Sequence, residues 1–167
     1  MTPDRYSELV GKTVMNLQWL EALIRMFLYG RRGQEGILFP YTEGARVPET
    51  AITNYDSLDA LVKKYNAIIK DLSADHLVIT NEVVRIRDRL AHGRVLADGS
   101  HGISPDNLWT LYKFSPASNG FVGVTDAICL DEAMLTTWLK TVSDARAIVM
   151  TAFDRFLLKP GNAGLHS

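Results

Sequence analysis

Residues 131–158 read Asp-Glu-Ala-Met-Leu-Thr-Thr-Trp-Leu-Lys-Thr-Val-Ser-Asp-Ala-Arg-Ala-Ile-Val-Met-Thr-Ala-Phe-Asp-Arg-Phe-Leu-Leu. Leu135, Trp138, Val142, Ala145, Val149, Ala152 and Phe156 recur at steps of three and four, the period of one helix face. Asp131 and Glu132 stand at the start, where the helix dipole favours negative charge. Lys159-Pro160-Gly161 ends the pattern, and the tail from about 159 to 167 is expected to fray. A helix this long with one apolar stripe needs partners to cover it, so the stretch predicts a helical bundle.

Residues 4–29 carry Tyr6, Leu9, Val10, Leu17, Leu20, Ile24, Phe27 and Leu28 at the same steps, with Pro3 in the first turn and Gly30 and Gly33 at the end. A long loop, 30–48, follows, with an apolar patch Ile37-Leu38-Phe39. A second helix is expected over 55–71 on Leu58, Leu61, Val62, Tyr65, Ile68 and Ile69. A third is expected from an N-cap at Ser73 to His92, through Leu77, Ile79, Val83, Ile86 and Leu90. Gly93 suits the left-handed position just past its end. The period then changes. The aromatic run 108–114 and the run 121–128 flank a loop ending in Asn119-Gly120, the signature of a β-hairpin. The fold expected is mostly α: a bundle of four long helices with a β-hairpin, about 108–128, between the last two, in one domain over 1–167.

Composition agrees. The chain has 167 residues, 47% hydrophobic and 22% charged, which is globular and not disordered. One cysteine, Cys129, precludes an intramolecular disulfide framework and a thiolate zinc cluster. It follows an apolar strand and is expected to be a buried, inert thiol. No apolar run is long enough for a membrane span, and residues 1–5 lack a signal peptide's basic start and apolar core. The expectation is a cytoplasmic protein with no membrane role. With 18 basic and 19 acidic residues the net charge is −1, which argues against a general nucleic-acid coat but allows a local basic cleft.

Such a cleft is suggested by Glu82-Val83-Val84-Arg85-Ile86-Arg87-Asp88-Arg89-Leu90-Ala91-His92-Gly93-Arg94, where four arginines face two acids. Asp88 and His92, four apart, lie on one helix face and can pair, the carboxylate orienting the imidazole. Arg87 is about 140° around the helix from His92, but arginine is long and the helix ends there. Gly93 leaves room for a substrate. An arginine that stabilises phosphate charge beside a histidine that moves protons suffices to cleave RNA, whose own 2′-hydroxyl is the nucleophile. The structural alternative is a basic helix end that complements the dipole, with Arg85 and Arg89 solvated or salt-bridged to Glu82 or Asp88.

Arg87-Asp88-Arg89-Leu90-Ala91-His92-Gly93 resembles the signature of the HEPN superfamily: an Arg followed by a polar residue, then a His after four to six intervening residues, on an interior helix of a bundle. The motif covers seven residues, and the helical layout extends the likeness over most of the chain. The resemblance implies an α-helical, usually dimeric protein with two motifs facing each other across a cleft. Many such proteins are metal-independent endoribonucleases of toxin–antitoxin and other defence systems; others are non-catalytic dimerisation or nucleotide-binding modules. It implies His92 as general acid/base, Arg87 on the scissile phosphate and Asp88 orienting the site, with Arg85, Arg89 and Arg94 as substrate-binding cations. It implies RNA as substrate, a homodimer, a possible antitoxin partner, and neither cofactor nor metal. One branch carries a Tyr two residues after the His as a target for nucleotide transfer. That position here is Arg94, so this mode of regulation is not implied.

The remaining candidates read as structural. His76 is expected to cap or contact the third helix, His101 to sit in a flexible loop, and His166 to lie in the tail. Arg31 and Arg32 form a short basic turn. Trp19, Trp109 and Trp138 are expected in the core or an interface. No histidine and acid spacing matches a zinc or di-iron site.

Overall fold

Helix α1 (Pro3–Arg31) begins where Thr2 Oγ1 accepts from the Arg5 N–H at 3.2 Å and ends before Gly33, whose φ of 59° stops the helix. The computed structural model describes residues 1–33, 42–97 and 109–157. The Ile37-Leu38-Phe39 patch, His101, Leu108, His166 and the tail lie outside them. Along α1 the buried positions are Leu9, Thr13, Leu17, Leu20, Leu23, Ile24, Phe27, Leu28 and Tyr29. Thr13 fills the gap in the apolar pattern. Its hydroxyl donates to Leu9 O at 2.8 Å, so a polar side chain sits fully buried without an unmet donor.

Helix α2 (Leu58–Asp71) is capped by Ser57, whose Oγ accepts from Ala60 N at 3.3 Å. Of the residues expected to be helical, Tyr55 and Asp56 precede this cap and Ser57 is the cap. Arg25 holds this approach, donating to Ala51 O, Asn54 O and Asp56 O at 2.8–3.1 Å.

The third helix starts later than its sequence suggests. Ser73 does not cap it; it closes α2. Ala74 N donates to Ile69 O (3.1 Å) and Ser73 N to Lys70 O (2.8 Å), with Ser73 left-handed at φ 53°. This is a Schellman closure, with buried Ala74 set against buried Ile69. Beyond a short 3₁₀ turn, Asp75–Leu77, the chain runs extended to helix α3 (Glu82–His92). The reason lies in α2: Tyr65 Oη donates to Leu77 O at 3.0 Å, while Asn66 accepts from Ile79 N and donates to Ile79 O at 3.0 and 2.9 Å. These side chains satisfy backbone groups that a helix would otherwise use.

The hairpin is present as strands β2 (Trp109–Phe114) and β3 (Val124–Leu130). Asn119 and Gly120, at φ 52° and 79°, form its tight turn between Ser118 and Phe121. A third strand, β1 (Arg94–Ala97), pairs antiparallel with β2, so the order is β1-β2-β3 with β2 central. Helix α4 (Glu132–Phe156) closes the described chain, with Asp131 Oδ1 accepting from Met134 N at 2.7 Å as its cap.

The protein is therefore mostly helical with a small antiparallel sheet. Of the four α-helices among the described residues, α1 and α4 are long and α2 and α3 are short, at 14 and 11 residues. Two compact units divide it. One comprises Met1–Leu17 and Glu82–Ser143, with Leu9, Leu17, Val83, Ile86, Leu111, Leu130, Leu135 and Trp138 as its core. The other comprises Gln18–Asn81 and α4 from Asp144 onward. There Phe27 meets Tyr65 edge-on at 5.2 Å, and Leu20, Ile24, Leu61, Ile69 and Val149 are buried as well. Burying each such Leu, Ile or Phe is worth roughly 1.5–3 kcal/mol. Among the described residues no helix is long and apolar enough to cross a membrane.

Candidate functional site

Helix α3 has two faces because its apolar and charged residues keep separate helical periods. Val83 and Ile86 are fully buried, while Arg85, Arg87 and His92 face solvent and Asp88 is partly exposed. The helix stops at His92 because Gly93 N makes the last helical bond, to Arg89 O at 2.8 Å, and β1 starts at Arg94.

Arg87 and His92 converge at this exposed end. Arg87 Nη1 lies 3.5 Å from His92 Nε2 and donates to Asp88 Oδ1 at 3.2 Å. The expected Asp88–His92 pair is replaced by Arg87 standing between them, since a guanidinium is the stronger partner for a carboxylate. The imidazole thus stands beside a fixed positive charge. Among the described residues only Nη1 of the guanidinium is engaged, which leaves its other N–H groups to an anion.

The other arginines separate into different roles. Arg89, half-buried, donates to Asp126 Oδ2 at 2.9 Å and Glu82 Oε1 at 3.2 Å and lies 5.9 Å over the Trp138 ring. It ties α3 to β3 and α4. Arg85 is largely exposed and 3.5 Å from Glu82 Oε2. Arg94 points to the opposite sheet face, its guanidinium 5.3 Å over Phe114. Arg85, Asp88 and Arg89 line a surface pocket of about 250 Å³ together with Lys113 and Asp126; Arg94 does not. Lys113 and Asp126 were not singled out from sequence. The available signal was a lysine two residues after the core-facing Leu111 in a strand, hence on the same face.

The glycine after the motif has a different reason from the one expected. Gly93 has no positive φ; a Cβ there would meet Leu111 Cδ2 and Cγ at 2.6 Å and collide with Arg89 O. The space that a Gly93 side chain would need is filled by Leu111 of strand β2. One further expectation changes. Cys129 is exposed on β3, whose alternation turns it outward. Trp19 is 58% exposed, whereas Trp138 is buried and Trp109 stacks on Tyr6 at 5.1 Å. His76 Nε2 contacts Arg155 Nη1 at 3.3 Å. Among the described residues no group of three or more His, Cys, Asp or Glu is placed to hold a metal ion. Compared with protein-family models, curated proteins and solved structures, the chain matches none.

Proposed function

We propose that this chain is a HEPN-like endoribonuclease that cleaves RNA through the RNA's own 2′-hydroxyl. The observation that carries the reading is the 3.5 Å approach of Arg87 Nη1 to His92 Nε2 at the exposed end of α3. His92 Nε2 takes the proton of the 2′-hydroxyl, and the 2′-oxygen attacks phosphorus. The bond from phosphorus to the 5′-oxygen breaks, and that oxygen takes a proton from water or from the imidazolium of a second copy. The products are a 2′,3′-cyclic phosphate and a 5′-hydroxyl. The free N–H groups of Arg87 stabilise the charge that develops on the phosphate oxygens, and Asp88 holds the guanidinium in place.

The helices belong, in this reading, to a bundle of the HEPN kind, extended by the three-stranded sheet. The active form is a homodimer. Met15 and Trp19, one turn apart on α1 and 60% and 58% exposed, support it as an apolar contact for a second copy. A cytoplasmic setting with an antitoxin partner is part of the same proposal. Incubating purified protein with a mixed RNA pool tests it: cyclic-phosphate ends are expected, and intact RNA across pH 6–8 would overturn the catalytic reading. The second reading, a non-catalytic dimeric or nucleotide-binding module, draws on the Arg87–Asp88 ion pair, which engages the motif's own arginine.

A further inference from the structure

Strand β2 brings one cation to the motif helix that no sequence pattern assigned. Lys113 lies on the sheet face that carries Leu111, the residue packed against Gly93. It is partly buried and lines the 250 Å³ pocket with Arg85, Asp88, Arg89 and Asp126. Its cross-strand neighbour is Asp126. That carboxylate is turned to Arg89 instead, at 2.9 Å. The pocket's other carboxylate, Asp88, is turned to Arg87 at 3.2 Å. Each acid in the pocket wall is thus already matched by an arginine. Among the described residues Lys113 has no ion-pair partner, and Arg85 has only the long 3.5 Å contact with Glu82. The uncompensated charge is positive, and it faces solvent.

We propose that Lys113 and Arg85 form an anion subsite that holds a backbone phosphate of single-stranded RNA next to the phosphate being cleaved. This inference rests on the proposed function for the identity of the anion. Asp88 supplies the geometric link: it forms part of the pocket wall and binds Arg87, so the subsite opens directly beside the guanidinium assigned to the scissile phosphate. The strand then crosses the exposed side of α3, with Arg87 at one phosphate and Lys113 with Arg85 at its neighbour. A lysine fits this role because its compact charge needs no fixed orientation on a phosphate. Arg89 is excluded from it by its two carboxylate partners.

Binding of a fluorescent 2′-O-methyl oligoribonucleotide, which cannot be cleaved, tests the subsite separately from catalysis. Each phosphate contact on a single strand contributes about 0.7 to the slope of log affinity against log salt. Lys113→Met, which keeps the apolar stem, is expected to lower that slope by about 0.7 and weaken binding at low salt. Lys113→Arg is expected to restore both. An unchanged slope in folded Lys113→Met, or no binding by the wild type, overturns the subsite. If the slope changes while the wild type leaves all-ribose RNA intact, the subsite stands and the nuclease reading falls.

Discussion

Leu111 of β2 occupies the space that a side chain on Gly93 would need, 2.6 Å from an added Cβ. Gly93→Ala is therefore expected to destabilise the protein by about 1–3 kcal/mol, because the strand or the helix end must shift. Urea unfolding measures this, and an unchanged midpoint would refute the close packing. The same variant should lower RNA cleavage more than stability predicts, since His92 is the neighbouring residue.

Removing the reacting groups should spare the fold. Arg87 and His92 face solvent, so their alanine variants are expected to melt as the wild type does. His92→Ala should slow cleavage by roughly 10²–10⁴, and Arg87→Ala by about 10²–10³. Asp88→Asn should do less, because it acts through Arg87. Cleavage should continue in EDTA, since an imidazole base and a 2′-oxygen nucleophile need no metal, and DNA should survive. Undiminished activity in His92→Ala would show that the site is wrongly assigned.

Trp19→Glu places a charge on the exposed apolar stripe of α1. The wild type is expected to sediment as a dimer at tens of micromolar and this variant as a monomer, each with wild-type helical content. A wild type that remains monomeric would remove the shared cleft from the proposal.

Acid should weaken the ion pairs that Glu8 makes on α1. Glu8 is held from the ordinary 4.5 down to about 2, chiefly by Lys12 and then by Arg5, which also reaches Glu132 of α4. A carboxyl depressed in the folded state stabilises it above its ordinary range and loses that contribution as pH falls toward 2. Stability should thus decline between about pH 4.5 and 2. Glu8→Gln should flatten the decline, as should high salt, because these groups are exposed and screened. An identical acid limb in Glu8→Gln would contradict the assignment.

Ser73 is the one non-glycine residue in the closure of α2 that sits left-handed, at φ 53°. Ser73→Gly should relieve about 1 kcal/mol of that strain and raise the melting temperature. A lower melting temperature would mean that the hydroxyl contributes more than the strain costs.

The long helices and the Asn119-Gly120 turn were legible because each rests on local chemistry: a 3.6-residue apolar period, or two adjacent residues that accept positive φ. The start of α3 was not. Ser73 matches a helix start in sequence, and what makes it a helix end is the pair of side chains at Tyr65 and Asn66 that capture Leu77 and Ile79. Strand β1 was hidden for a similar reason, since four residues directly after a helix show no alternation long enough to read. At the site, the Arg87–His92 meeting followed from arginine's reach at a helix end. The pairing of Arg85 and Arg89 with Glu82 was legible on one helix, whereas the fates of Arg89 and Arg94 also depended on Asp126 and Phe114, which lie beyond any local window.

One residue, Gly93, joins the motif helix to the sheet: α3 ends at His92 and β1 begins at Arg94. Such a joint has no slack. A frayed last turn of α3 would pull Arg94 out of register with Tyr112, and a displaced β1 would unwind the turn that carries His92. The two should exchange their amide hydrogens as a single cooperative unit. A ligand gripping the free edge of β1 would then slow the opening of the turn that carries His92 without touching it.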